Sequence, residues 1–524
     1  MAIESASGKR TAGPRRLRAR LGVLAALAAF AAAPTGAQPS GPEPTQEVAQ
    51  KNTLPLDPAN AAYQDAIAAL RAGPSAAADA RKKLDEIIDS PLFAQLNAAQ
   101  QHYVLGSASG LALRTDKDLT RAHGLAVRAT GMRESVSQDW LYRAYTAWRV
   151  GDAADAASSL TWAAQRWPKD ITAMNERAIL PIVRAAPTKD ARYLLEALFA
   201  ANWQTRFGDD ASVAWGELAR LYLEAGNVPA AVRVSARITA PDMIVIMRAD
   251  RRYDALRTAA PERLDVDAAV ATRIALLEQQ AAAAPDLLEP RLRLAEVLIS
   301  ANRCKDSLAL ADEVLARTGG PTAETKPYTD TGTLLVWILN ARSRALACVG
   351  RSDEAVHQLE QAAILQEGGA QNTSQAINLA GLYVRVGRPA DALTMLKRVG
   401  GTSPYGKMEV ESVRLKAAAK LGDRATVETA LSYMREHRND ALRTLQDGLL
   451  VAGARDEAAE LMVQRLTDPA GRGAALLDLQ IFGNGSAPPS DEPHESLGSL
   501  RTDRRVAAAV SRFGRIESYP NLRP

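Results

Sequence analysis

Residues 137–170 read SQDWLYRAYTAWRVGDAADAASSLTWAAQRWPKD. The stretch holds no nucleophile–base pair and no metal-ligand box, so its composition must answer to packing. Counted from Ser137, Trp140 is 4th, Ala144 8th, Gly151 15th, Ala156 20th, Leu160 24th, Ala163 27th and Pro168 32nd. Small residues 8th and 20th let two helices approach closely. Gly151 supplies a left-handed turn at little steric cost. The larger residues 4th and 24th are expected to fill the seam, and Pro168 ends the second helix. The stretch therefore predicts a helix–turn–helix hairpin.

The same frame recurs along the chain. From Ser212 it finds Trp215, Leu218, Ala219, Tyr222, Gly226 and Ala231, with Ser235 breaking the 24th position. From Leu288 it finds Leu294, Ala295, Leu298 and Ser307, with Asn302 at the turn as another residue that tolerates the left-handed conformation. Val336 opens a copy with Leu346, Gly350, Ala355, Leu359 and Ala362, and Thr373 one with Leu379, Ala380, Tyr383, Gly387, Ala392 and Leu396. Weaker copies centre on Gly422 and Gly453. This pattern resembles the tetratricopeptide repeat, a helical hairpin of about 34 residues. The resemblance covers directly about half of the chain beyond residue 37. It implies an all-α fold, a right-handed α-solenoid of helix-turn-helix repeats with a C-terminal capping helix, since a last repeat must have its apolar face covered.

Composition agrees with helices: aromatic residues make up only 5% and alanine runs recur, as in QQAAAAP. Residues 61–136 have helical periodicity without the full signature and read as divergent repeats, and 137–482 as the solenoid. Residues 318–332 read as an inserted loop. Residues 483–500 (GNGSAPPSDEPHESLGSL) read as a Pro/Gly/Ser-rich linker, and 501–524 as a C-terminal helix and tail.

The first 37 residues read as a secretory signal: Lys9, Arg10, Arg15, Arg16, Arg18 and Arg20 precede the apolar run LGVLAALAAFAAA, and the small-residue site TGA precedes Gln38. The run is short for a membrane span, which needs about 20 residues. An uncleaved anchor is the alternative, and residues 38–60 read as a flexible linker. Arg15-Arg16 is followed by LRAR and not by the apolar pair of a twin-arginine signal, so general export and a periplasmic site are expected. Removing the leader's net charge of +5 from the whole-chain +4 leaves about −1, which gives no electrostatic case for nucleic acid. No membrane span is expected in the mature chain.

Cys304 and Cys348 enclose 43 residues, too many for a CxxC redox or zinc motif. In an oxidising compartment a disulfide is one reading and two buried thiols the other. A bridge requires a Cα separation of roughly 4.4 to 6.8 Å. The histidines, His102, His123, His357, His437 and His494, show no metal-ligand spacing. No nucleophile elbow, dinucleotide fingerprint, phosphate loop or calcium box occurs. Acidic clusters in RSDEA and ARDEA read as first turns of helices, complementing the helix dipole. No catalytic residue, cofactor or metal is therefore assigned.

The resemblance instead implies a groove lined by the first helix of each repeat. Carried over, its positions fall on Leu141, Tyr145, Trp148, Arg220, Glu296, Asn340, Arg344 and Lys416. Tyr145, Trp148, Arg220, Asn340 and Arg344 are the candidate interaction residues, since large aromatics and arginine dominate binding hot spots. The family's carboxylate clamp needs lysine and asparagine where this chain has Leu141 and Tyr145, which argues against chaperone tails as ligands. The expected function is a non-enzymatic adaptor or scaffold binding a protein segment or partner helix. Two alternatives stand: a cofactor of an envelope polysaccharide or peptidoglycan machine, and an enzyme whose site is hidden in residues 38–135.

Overall fold

The computed structural model describes residues 57–115, 118–171, 174, 176–204, 211–318, 328–366, 372–483 and 493–523. The signal sequence expected at 1–37 and most of the linker expected at 38–60 lie outside them; helix Pro58–Arg71 begins within that linker's last residues. The described residues are α-helical apart from short turns, 3-10 segments and one two-stranded pairing, and successive helices pair into hairpins.

Turn chemistry decides this. Gly151, Gly226, Asn302, Gly350, Gly387, Gly422 and Gly453, the seven turn centres of the sequence frame, all adopt positive φ, between 55° and 93°. Gly73 and Asn202 do likewise at turns the frame did not include. At Gly151 the geometry is a left-handed helix end: φ is 93°, and the Gly151 and Asp152 amides donate back to the carbonyls of Trp148 and Ala147. Asp152 then opens the second helix, its side chain accepting from the Asp155 amide.

The described residues fall into two compact units, one within 57–238 and one within 239–523. In the first, the described hairpins begin with Pro58–Arg71 and Ala77–Ile88 and continue through Ala98–Thr115, Leu119–Thr130, Ser137–Val150 and Ala153–Arg166, then Glu176–Ala185 and Thr188–Ala200, ending with Ser212–Glu224 and Val228–Ser235. Ala144, Ala156, Leu160 and Ala163 are buried at the Ser137 hairpin seam. Trp140 departs from expectation: it is only half-buried and stacks on exposed Trp162, 5.4 Å between ring centres, because the two alanines bring the helices too close for an indole between them. The interior aromatics are Trp203 and Trp215, edge to face at 5.9 Å, with the Trp203 indole N–H donating to the Met174 carbonyl at 3.2 Å.

The second unit opens with Pro241–Ala249 and Val266–Ala283. It then stacks five hairpins whose first helices are Glu289–Ser300, Thr331–Cys348, Thr373–Arg385, Pro404–Leu421 and Leu442–Val451. The 8th and 20th positions do more than pack. Ser343 donates to the Ala355 carbonyl at 2.8 Å, Ser307 to Ala295 at 2.9 Å and Gln446 to Ala458 at 2.6 Å, each across twelve residues between the helices of one hairpin. Close approach thus satisfies a buried polar group with a helix carbonyl.

After Leu442–Val451 and Arg455–Thr467 come Arg472–Asp478, Pro493–Arg501 and Arg504–Phe513. Residues 493–501, which the sequence reading gave mainly to a linker, are helical, and Leu497 and Leu500 are buried against the last hairpin with Val506 and Val510. Gly514 to Arg523 is an extended strap. Its Ser518–Tyr519 pairs in parallel with Ile481–Phe482.

Candidate interaction surfaces

The residues 9th in each frame of the second unit are Glu296, Arg344, Gly381, Lys416 and Asp447, each on the first helix of its hairpin. Asn340 is one helical turn before Arg344 on the same face and is half-buried. Arg344 is exposed, and no carboxylate among the described residues lies within ion-pair distance of it. Surrounding protein nevertheless lowers its pKa; Glu296 opposes that shift, and the cations Arg385 and Arg523 reinforce it. At the far rung, burial pushes the Asp447 carboxyl up to about 6 against the pull of Lys416 and Arg443, and its Oδ1 has no hydrogen-bond partner.

In the first unit the corresponding residues are satisfied within their own helices. Arg220 is clamped by Glu217 and Glu224, one turn before and one after; burial alone would lower its pKa, but the two carboxylates raise it. Tyr145 is half-buried, its hydroxyl accepts from Arg149 at 2.6 Å, and the same guanidinium stands 5.5 Å from the ring centre. Trp148 is half-buried one turn from Ala144. Tyr145 and Trp148 therefore share one helix, Arg220 lies two hairpins on, and Asn340 and Arg344 share a helix in the second unit.

The disulfide residues are brought together: Cys304 and Cys348 are bridged with a Cα separation of 6.1 Å. Cys304 opens the second helix of one hairpin and Cys348 closes the first helix of the next.

Several features were not anticipated. Trp140 and Trp162 form the stacked pair already described, with the Arg143 guanidinium 5.5 Å from the Trp140 ring centre. Arg143 is held in turn by a two-pronged pairing to Asp155. His102 lies 2.6 Å from Asp139, whose carboxylate also accepts the Val136 amide and starts helix Ser137–Val150. His123 lies 3.3 Å from the Thr146 hydroxyl. Acidic residues that approach each other in residues 57–135 bracket a cation: Asp65 and Asp79 flank Lys83, and Asp85 and Asp89 flank Arg121. Among the described residues no group of three or more histidine, cysteine or acidic side chains could hold a metal ion. No described helix is long and apolar enough to cross a membrane.

The strap was not legible either. Arg515 donates from its amide to the Ala249 carbonyl at 2.9 Å and from its guanidinium to Asp254 at 2.5 Å. Glu517 accepts from Arg248 at 2.7 Å and Arg257 at 2.8 Å. The Arg523 amide donates to the Ser300 carbonyl at 2.8 Å, and its guanidinium reaches Cys348 Sγ at 2.9 Å. The strap thus ties the opening elements of this unit to its last ones.

No known protein family matches the sequence, and no curated protein matches it. Among solved structures, the chain is similar to the anaphase-promoting-complex hetero-tetramer Cut9–Hcn1 at 11% identity, with 87% of this chain and 89% of that one covered and a TM-score of 0.28. It is similar to a Rap protein complexed with competence and sporulation factor at 12% identity, covering 86% and 99%, TM-score 0.29. For the tetratricopeptide domain of P58(IPK) the values are 12%, 78%, 99% and 0.20.

Proposed function

We propose that this chain of tetratricopeptide-type hairpins is an exported, non-enzymatic adaptor that holds a segment of another protein in the groove of its hairpin stack. The carrying observation is Arg344, an exposed guanidinium with no carboxylate within ion-pair distance among the described residues, one turn from Asn340 on its helix and at the frame position that Gly381 holds in the next hairpin. A glycine there lets a bound backbone approach the helix, and an open arginine offers a charge-assisted hydrogen bond. Export is supported by the leader-like first 37 residues and by the Cys304–Cys348 bridge, since disulfides persist in oxidising compartments.

The test is a pull-down from envelope extract with wild type, Arg344→Glu, and Tyr145→Ala plus Trp148→Ala. Loss of a recovered protein with Arg344→Glu alone supports the second-unit groove, and loss with the aromatic double variant alone moves the site to the first unit. Identical recovery by all three refutes both grooves.

One observation favours a second reading, a role beside an envelope polymer. Trp162 is 48% exposed and lies stacked on Trp140, the flat apolar face on which a sugar ring packs. Co-sedimentation with insoluble cell-wall glycan that is lost in Trp162→Ala would select it.

A further inference from the structure

The strap is the least expected feature of the second unit, and its seat is built for it at two points where no side chain fits. A Cβ on Gly483 would stand 1.9 Å from the Pro520 carbonyl oxygen. A Cβ on Gly514 would stand 2.5 Å from Leu476 and 2.6 Å from the Ala249 carbonyl oxygen. Neither glycine has a positive φ, so it is close approach and not backbone conformation that excludes a side chain. Between these crossings the strap is held mainly by polar contacts. Gln480 donates to the Arg515 carbonyl and accepts the Glu517 amide, the Ile481 and Gly483 amides donate to the carbonyls of Glu517 and Tyr519, and Glu517 sits between Arg248 and Arg257. Of the strap's large apolar side chains, Tyr519 and Leu522 are buried, Tyr519 stacking on Phe482, and Ile516 packs half-buried against the last elements, while Ser518, Pro520 and Asn521 are exposed.

A segment held this way has the composition of a ligand. It buries little apolar surface, so its local opening costs far less than unfolding the hairpins beneath it. Its fit rests on backbone pairing, one acidic anchor and two glycine crossings, the elements by which an extended peptide is added to an exposed edge. Burial tends to raise the Glu517 pKa, but the hydrogen bonds from Arg248 and Arg257 outweigh it and hold the carboxyl below its ordinary value. Its charge is therefore held by the seat.

We infer that residues 248–257, 300–302 and 479–483 form a peptide-binding seat occupied in cis by Gly514–Arg523, a displaceable latch joining the first and last elements of the unit. A second copy of this chain, presenting the same strap, is the partner that fits the seat when the cis strap leaves. The inference does not depend on a groove ligand.

The test uses the full chain with the seat intact and the strap altered, Gly514→Ala plus Glu517→Arg, and as probe the free peptide GRIESYPNLR, the strap's own sequence. Hydrogen exchange is read at the amides of Ile481, Gly483 and Arg515. In wild type all three are protected and the peptide does not bind. In the variant they exchange about tenfold faster or more, while amides inside Thr373–Arg385 stay unchanged, and the added peptide binds and restores protection at Ile481 and Gly483. Glu517→Gln gives the same pattern in weaker form, and Gly332→Ala, a glycine with open space around it, gives none. Wild-type amides that exchange as in a free peptide would overturn the latch, as would a variant that keeps its protection. Loss of protection throughout Thr373–Arg385 in both strap variants would also overturn it, by showing the strap to be inseparable from the fold. A released strap with no peptide binding would overturn the seat.

Discussion

Both units use one hairpin with one turn geometry, yet they treat the arginine at the 9th frame position in opposite ways. In the first, Arg220 is neutralised from its own helix by Glu217 and Glu224, and Tyr145 lies under Arg149. In the second, Arg344 has no such partner, Asp447 is held with an unsatisfied oxygen, and a strap crosses from the last helices to the first. Repeat geometry therefore sets where a side chain points, and residues one turn away decide whether it remains available to a ligand. Available groups concentrate where the unit is also cross-braced, by a disulfide and a strap, as expected if stability offsets the cost of leaving charges unpaired.

Removing that bracing gives the largest predicted effect. Cys304→Ser plus Cys348→Ser frees a loop spanning 44 residues, for which the chain-entropy relation gives about 4 kcal/mol. Denaturant unfolding followed by hydrogen exchange should place the loss in residues 239–524 and leave the amides of 57–238 as they were. An equal loss in both would show that the units do not unfold separately.

Asp447 comes next and has a pH signature. Its folded-state pKa, near 6, stands above that of an unfolded aspartate, so between about 4 and 6 the folded chain holds a proton that the unfolded chain has released. Stability from this group is full below about 4 and is lost as pH rises through 6. Asp447→Asn should therefore stabilise the second unit by about 1 to 3 kcal/mol at pH 8 and by almost nothing at pH 4. Chemical denaturation at the two pH values checks this. A gain that does not change with pH would mean that burial of the charge is not the cause.

How much of this was readable follows from where the information sits. Turn positions were legible because Gly151 or Asn302 must take a backbone conformation few residues tolerate, and that demand is local. The seam alanines were legible for a similar reason. Trp140 was misplaced because its environment depends on Trp162, 22 residues on, and spacing says nothing of which side of a close-packed pair an indole leaves by. Arg220 and Arg344 occupy equivalent frame positions; the flanking glutamates at 217 and 224 were the signal that separated them. The strap was illegible because its partners at 248–257 and 300 lie more than two hundred residues away, and its two glycines announce a close approach only once the opposing carbonyls are placed. Likewise, residues 493–501 look like a linker by composition because Pro, Gly and Ser dominate the stretch before them, while Leu497 and Leu500 gain their helix from the surface they cover.

A smaller effect tests the turns themselves. Gly151→Ala forces a Cβ into φ 93° and should cost about 1 kcal/mol, whereas Asn302→Gly, at φ 55°, should change stability by only a few tenths. Thermal unfolding resolves the contrast, and equal costs would mean that the left-handed turn is not what these residues supply.

The smallest stability change addresses the comparison most directly. Glu217→Gln plus Glu224→Gln removes the clamp on Arg220 while keeping the helix length and polarity. Both pairs are intrahelical and partly exposed, so the loss should be a few tenths of a kcal/mol. The binding consequence runs the other way, because the freed guanidinium now resembles Arg344 in having no carboxylate of its own. If availability governs ligand capture, this variant should gain affinity for acidic peptides at the first unit, read as a chemical-shift or anisotropy change that Arg220→Ala abolishes. If it gains nothing, charge availability is not what distinguishes Arg220 from Arg344, and the difference must lie in the desolvation that already lowers the pKa of Arg344.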